Sequence, residues 1–593
     1  MTQYLDLDDI QGNVLRAYGK FGFPKARYFF LNTGSAFAGR HFLRNVLPRI
    51  TSARRWDKDE NGTPLRPAST MNIGISFMGM LMLDVPTRTL SSMPSEFIDG
   101  MRKRAFVLGD RPSDAMDEAN ESNTENRPPP EWMAQWDPIW KENRSRFGSE
   151  DVHIWISINA RVKEATEDPV DALDDNGSPT GRNVLEEMTH FLKEACNEAN
   201  KAFQETHDSS EKGDIRILPT NGKNGDQEYQ EASTLFQNFG SEENPVLYPV
   251  PTEHFGLADG IGDPVFEGQY EDAQLKDKVI GRGKWMTEEK GWEPLATGEF
   301  LLGHVDESQA LPPAPRPPEF SKNGTFMAYR KLHQNVASYR SYFEEEAKKF
   351  ASVTGTPADR AEDVLKAKFV GRWPDGVPLS KAPTLADWDK VRAQYKMDDP
   401  DPGKAYKAQV DYLKTLHASD FKFATDIGGR DCPGQSHLRR VNTRDYLDPL
   451  NDTNPATAPE NNKNSNTSLN KRRRILRRGL PYGGSKPDTG NDDTEQGIAM
   501  MVICANLFRQ FEFVQQQWVQ YGLDFQAGNN TCPLVGDHSK HKRFTIPGDP
   551  GRGETTYVCD SLKTFVEPRG GEYFFIPSIT ALQMLADGVV DPT

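Results

Sequence analysis

Apolar residues recur along this chain with two periods, and the switch between the periods marks its elements. Residues 26–31 (ARYFFL) form a short run rich in aromatic side chains, which predicts a strand. Beyond it Phe37, Phe42, Leu43, Val46 and Leu47 return at helical spacing, so 35–50 predicts a helix. The alternation over 71–85 (MNIGISFMGMLMLDV) predicts a second strand, 152–162 a third and 215–218 a short fourth, with an amphipathic helix over 183–205. The later part of the chain repeats this grammar with longer interruptions. Strands are predicted at 298–303, 324–330, 473–476, 498–505 and 572–576, and helices at 336–351, 508–521 and 579–586.

The order β-α-β-β-α-β in each half predicts an α+β protein of two ferredoxin-like domains, each an antiparallel sheet with helices on one face. We place them at 1–255 and 256–593, with a ligand space between them. Three stretches interrupt the pattern. Residues 110–138 are polar and Pro-rich, 354–428 are charged and partly helical, and 451–470 (NDTNPATAPENNKNSNTSLN) hold almost no apolar residue and read as a surface loop.

Composition narrows the function classes. With 593 residues and 36% hydrophobic content the chain has material for a core that encloses a cofactor, while a formal charge of -16 argues against nucleic acid as a general partner. The five cysteines are scattered with no CxxC, which suits free thiols in a reducing compartment. MTQYLDLDDIQGN has neither a basic nor an apolar stretch, so the expectation is a cytoplasmic protein without membrane contact, export by another route remaining open.

Three segments carry candidate chemistry. HFGLADGIGDP sets Gly256, Gly260 and Gly262 around Asp259; glycines permit positive φ and close approach of backbone to a flat ligand, although an ordinary tight turn has the same composition. CPGQSHLRRVNTR places His437 between small residues and Arg439, Arg440 and Arg444, an arrangement that admits a planar cofactor and pairs its carboxylates; Cys432 is the rival ligand, and a structural histidine the bland alternative. KRRRILRRGLPYG is a basic run that continues into an apolar strand. Alternation sends its arginines to opposite faces, so at least one points inward and needs an anionic partner; a nucleic-acid patch is the competing interpretation.

Together GLADG, SHLRRVNTR and RRILRRGLPYG resemble, in order and in rough separation, the three signature segments of the dye-decolourising peroxidases. The resemblance extends through LDDIQGNVLRAYG, NGTFMAYRKL, GIAMMVICANLFRQFEFVQQQWV and RGGEYFFIPSITAL, and is nearest to the larger members. It implies a haem b (iron protoporphyrin IX) peroxidase that consumes hydrogen peroxide and oxidises a dye or other aromatic reductant. His437 would be the axial iron ligand, Asp259 the distal acid/base, Arg477 the distal charge stabiliser and Arg444 a partner for a haem propionate, with Gly256 and Gly260 at the cofactor. Two positions depart from the pattern: Thr443 replaces a common proline, and Asn506 stands where many relatives carry an acid that hydrogen-bonds the proximal imidazole. With Asn506 in that role, weaker donation to the iron and a higher reduction potential are expected. An aspartate base with an ordinary pKa of about 3.9 predicts activity that persists into acid. A haem carrier would need His437 but neither Asp259 nor Arg477.

Overall fold

The computed structural model describes residues 4–110, 133–141, 151–162, 171–173, 179–208, 213–239, 247–286, 289–446, 468–484, 487–539 and 542–590. Most of the 110–138 and 451–470 insertions lies outside these residues.

Nine strands form one antiparallel sheet: β1 (Lys25–Thr33), β2 (Ser69–Ile75), β3 (Ile154–Ala160), β4 (Ile215–Ile217), β5 (Gln230–Ser233), β6 (Thr325–Gln334), β7 (Leu476–Tyr482), β8 (Gly497–Cys504) and β9 (Val566–Ile576). Their order is β7-β8-β6-β9-β2-β3-β1-β4, with β5 also paired to β1. Taken separately, β4-β1-β3-β2 and β9-β6-β8-β7 follow the same spatial order, fourth-first-third-second, so each half is a ferredoxin-like unit. The two sheets meet edge to edge, through β9 and β2, at the single register pair Phe575 and Ile75.

Strand alternation sorts the side chains into two layers. On one face Phe29, Leu31, Ile73, Ile75, Ile156 and Phe575 pack under helices α1 (Ala36–Val46) and α2 (Val184–Thr206); on the other Tyr28, Phe30, Trp155, Tyr329, Met501 and Phe574 form a second core. Further helices follow in the second half: α3 (Val336–Thr354), α4 (Ala361–Val370), α5 (Leu385–Tyr395), α6 (Pro402–Lys414), α7 (His437–Val441) and α8 (Ile579–Asp587). Helix α8 crosses back to pack on α1 of the first unit, so the chain's end is built into its beginning.

Four predicted elements differ. The strand expected over 71–85 ends at Ile75, because the Ser76 hydroxyl accepts the Gly79 N–H and caps a helix at Phe77–Met82. Residues 298–303 are not a strand: Thr297–Glu299 is a 3₁₀ turn, and Phe300, Leu301 and Leu302 are simply buried. The strand expected over 473–476 instead starts at Leu476 and continues through Pro481, which the sheet tolerates because β7 is an edge strand. The helix predicted over 508–521 is instead wound as two π-helical segments, Leu507–Glu512 and Val514–Val519. No helix among the described residues is long and apolar enough to cross a membrane.

Candidate active site

On the helical face of β6, β7 and β8 lies a cavity of about 1260 Å³. Ile498, Met500 and Val502 of β8 form its floor, and Phe511, Val514 and Val519 of the π-helical segment one wall. Its polar groups come from three directions and coincide with the three sequence motifs.

Asp259 arrives on a loop organised around a buried carboxylate. Glu253 accepts hydrogen bonds from the backbone N–H groups of Phe255 (2.8 Å) and Leu257 (3.1 Å) and from the Gln334 amide, while the Asp259 N–H donates to the Pro251 carbonyl at 2.8 Å. Gly256, Gly260 and Gly262 adopt φ of 79°, 69° and 86°, the left-handed region that other residues avoid. Gly260 and Gly262 line the cavity; Gly256 does not, and serves the turn. Burial drives the Glu253 carboxyl up to about 7, the nearby Asp259 charge adding to the effect and the donated hydrogen bonds opposing it.

Arg477 reaches the same loop from β7 and pairs directly with Asp259 Oδ1; both side chains are about one-third exposed, at 32% each. The expected alternation is visible next door. Arg478 turns to the opposite face, where its Nε and Nη2 donate to the carbonyls of Asn13 (2.7 Å) and Val14 (2.8 Å), within the LDDIQGNVL segment. Gly479 follows at φ 119°, and a Cβ there would stand 2.0 Å from the Ala499 carbonyl oxygen, so β7 can pair with β8 at this point only through glycine.

His437 opens α7 and lines the cavity, with its Nδ1 3.3 Å from Cys532 Sγ. Burial alone would raise the Cys532 thiol, but the neighbouring His437 and Arg440 more than offset it, and its pKa is lowered from the ordinary value. Cys432, the rival ligand, is fully buried, pushed up to about 11 by that burial, and absent from the cavity wall.

Asn506 is not brought to the histidine. It is the N-cap of the π-helical segment, where its Oδ1 accepts the Arg509 N–H at 2.7 Å, and it does not line the cavity. An amide in a strand-to-helix turn is a preferred cap, and that local use outcompetes the distant one.

Arg444 and Arg372 carry buried polar atoms without partners among the described residues. Arg444 Nη1 donates to the carbonyls of Gly281 (2.6 Å), Ser419 (2.7 Å) and Phe421 (3.1 Å), while its Nε and Nη2, like Arg372 Nη2, are buried without a hydrogen-bond partner among the described residues. A Cβ on cavity-lining Gly262 would stand 3.9 Å from Arg444 Nη2. Arg372 and Arg474 line the cavity, whereas Arg444 lies behind its wall; burial lowers Arg372 and Arg474 to about 10 each, and it lowers Arg444 further still, the like charges of Arg372 and Arg474 adding to the effect. Buried cations that depress one another are relieved by an anion. An apolar slot of this volume, one imidazole at its wall and unsatisfied guanidinium groups at its edge match a flat, dicarboxylate cofactor such as haem. No cluster of three or more His, Cys, Asp or Glu side chains among the described residues would hold a metal by itself.

The 354–428 insertion was expected to interrupt the fold rather than to serve the site. Instead Val370, Arg372, Tyr406, Val410 and Leu413 from it line the cavity. No sequence motif announces them; only the apolar stripe of its helices hints at a buried face.

No family model matches the chain. Peroxidase 2 of Mycetinis scorodonius is 29% identical over 350 residues, covering 56% of this chain and 56% of the relative, so the chain spans little more than half the length of that protein in the match. A dye-decolorizing peroxidase of Mycena epipterygia is 23% identical over 611 residues, covering 98% of this chain and 87% of its own length. Among solved structures, a dye-decolorizing peroxidase in complex with 2,6-dimethoxyphenol superposes with a TM-score of 0.62 at 20% identity, over 98% of this chain and 100% of that one, which establishes the shared fold. In fold and in these sequence matches, the chain is similar to dye-decolorizing peroxidases.

Proposed function

We propose that the protein is a haem peroxidase that reduces hydrogen peroxide and oxidises phenolic, dye or other aromatic reductants. The observation that carries this reading is the convergence of the Asp259–Arg477 pair and His437 on one cavity. The absence of any CxxC favours a non-covalently held, b-type haem. His437 would hold its iron through Nε2, since Nδ1 is engaged by Cys532, and Arg444 with Arg372 would receive its carboxylates. When bound, haem supplies the redox-active iron at which peroxide is reduced.

The residues' own work is proton transfer and charge stabilisation. The Asp259 carboxylate takes the proton from one peroxide oxygen and returns it to the other, so that water can leave. Arg477, permanently cationic, offsets the negative charge that gathers on the departing oxygen. Their contact keeps the two groups on one side of the cavity, so that a small polar molecule entering there meets base and cation together. Phenol-sized reductants are the proposed substrate class, by analogy with the relative solved with 2,6-dimethoxyphenol.

The test is an absorption spectrum of the haem-loaded protein before and after one equivalent of peroxide, followed by steady-state dye bleaching by the wild type and Asp259→Ala. We expect a Soret band that shifts with peroxide and turnover that collapses in the variant. A haem-loaded protein with no turnover, or equal turnover in Asp259→Ala, overturns the assignment.

A further inference from the structure

We propose that Cys532 is the proximal positioning residue, its sulfur accepting the hydrogen bond of the His437 imidazole in the place where a carboxylate or amide was expected. The proposal rests on the reading of His437 as the axial ligand. An imidazole that binds a metal through Nε2 carries its proton on Nδ1, and the group facing Nδ1 fixes the ring's tautomer and orientation. Here that group is Cys532 Sγ, 3.3 Å away across 95 residues of sequence.

The sulfur is held as a fixed element. Its residue is fully buried; its N–H donates to the Val519 carbonyl at 2.7 Å and its carbonyl accepts the Gly536 N–H at 2.9 Å. The loop that carries it is bolted to the histidine's own helix by Arg440, three residues after His437. Arg440 Nε donates to the Gln435 carbonyl (3.0 Å), Nη1 to those of Trp518 (2.8 Å) and Tyr521 (3.2 Å), and Nη2 to that of Asn530 (3.1 Å). One guanidinium therefore sets the distance between ring and sulfur. Asn506, spent on its helix cap, does not compete.

A sulfur is a weak acceptor compared with a carboxylate. It orients the imidazole while drawing less on its proton, so the ring donates less electron density to the iron and the ferrous state is favoured relative to a carboxylate-supported site. Replacing such a partner alters metal affinity by roughly 10-fold to 100-fold. For Cys532→Asp we expect the ferric state to gain about 10-fold over the ferrous, a fall in midpoint potential of about 59 mV for a one-electron couple.

The experiment uses holoprotein: spectroelectrochemistry, and resonance Raman of the ferrous iron–histidine stretch, in wild type, Cys532→Ser, Cys532→Ala and Cys532→Asp. The expected result is a near-native stretch in Ser, a lower one in Ala, and a higher one with the lowered potential in Asp. If Asp fails to bind haem, the Ser and Ala pair decides by itself. Equal stretches and potentials in Ala, Ser and wild type at full Soret intensity overturn the role of the sulfur. A His437→Ala protein that keeps the iron–histidine band overturns the ligand assignment instead, which separates the two failures.

Discussion

Glu253 lies at the centre of the loop that presents Asp259, and its environment makes a measurable demand on stability. Burial raises its carboxyl from an ordinary 4.5 to about 7. Each factor of ten in proton affinity corresponds to about 1.4 kcal/mol, so the shift amounts to about 3 kcal/mol. The sign follows from which state holds the proton. Below about 4.5 both folded and unfolded chains keep it, and the folded state bears no penalty; between 4.5 and 7 the unfolded chain releases it while the folded chain retains it, so stability falls as pH rises, and above about 7 the loss is complete. Glu253→Gln fixes the neutral form and removes this slope. Glu572, raised to about 7 by burial against the opposing pull of hydrogen bonds from the Met101 and Tyr573 N–H groups, contributes a similar slope to both proteins and cancels in the difference. Urea-unfolding free energies of wild type and Glu253→Gln, stepped from pH 4.5 to 7.5, should therefore diverge by about 3 kcal/mol in favour of the variant as pH rises. Parallel curves would refute the buried, protonated state assigned to Glu253.

Other perturbations address the site and its frame. Asp259→Asn is expected to lower peroxide turnover by roughly 100-fold to 10,000-fold with haem binding intact, read from kcat and the Soret band. Arg477→Leu removes the cation proposed to offset the charge on the departing oxygen and should cost roughly 100-fold or more in kcat, with Arg477→Lys recovering only part. Arg444→Leu deletes the unsatisfied guanidinium beside Gly262, so haem titration should show affinity weakened by roughly 10-fold to 100-fold, the worth of one charge-assisted hydrogen bond. Gly479→Ala forces a Cβ against the Ala499 carbonyl at φ 119°, and thermal unfolding should show a loss of about 1–3 kcal/mol; a neutral outcome would contradict the pairing of β7 and β8 described above.

The parts of the site that sequence discloses are those written as motifs. Asp259, His437 and Arg477 stand in compact segments whose glycines and arginines have a local chemical reason, and the strand alternation by itself separates Arg477 from Arg478. The doubled β-α-β-β-α-β order was likewise legible, because period is a property of neighbouring residues. What escaped is set by contacts across long stretches of chain. Cys532 sits in NNTCPLVGD with no periodicity or partner residue nearby, and its role exists only because Arg440 draws that loop to α7. Asn506 misled for the opposite reason: its local function as a helix cap was available in the sequence, and its position in a family pattern pointed elsewhere. At 298–303 a short apolar run gave no means of distinguishing a strand from a buried turn.

The single register pair that links β9 to β2 has a consequence for the chain as it is made. The strands of the first unit have all left the ribosome by β5, yet β2 keeps an open edge until β9 has been translated. At synthesis rates of about 5–20 residues per second, the intervening chain holds that edge open for a time on the order of tens of seconds. A strand edge in that state is a template for pairing with any other chain. Helix α8, which seals α1, arrives later still. The hazardous interval of this protein is thus its own synthesis, and it closes only when β9 and then α8 have been made.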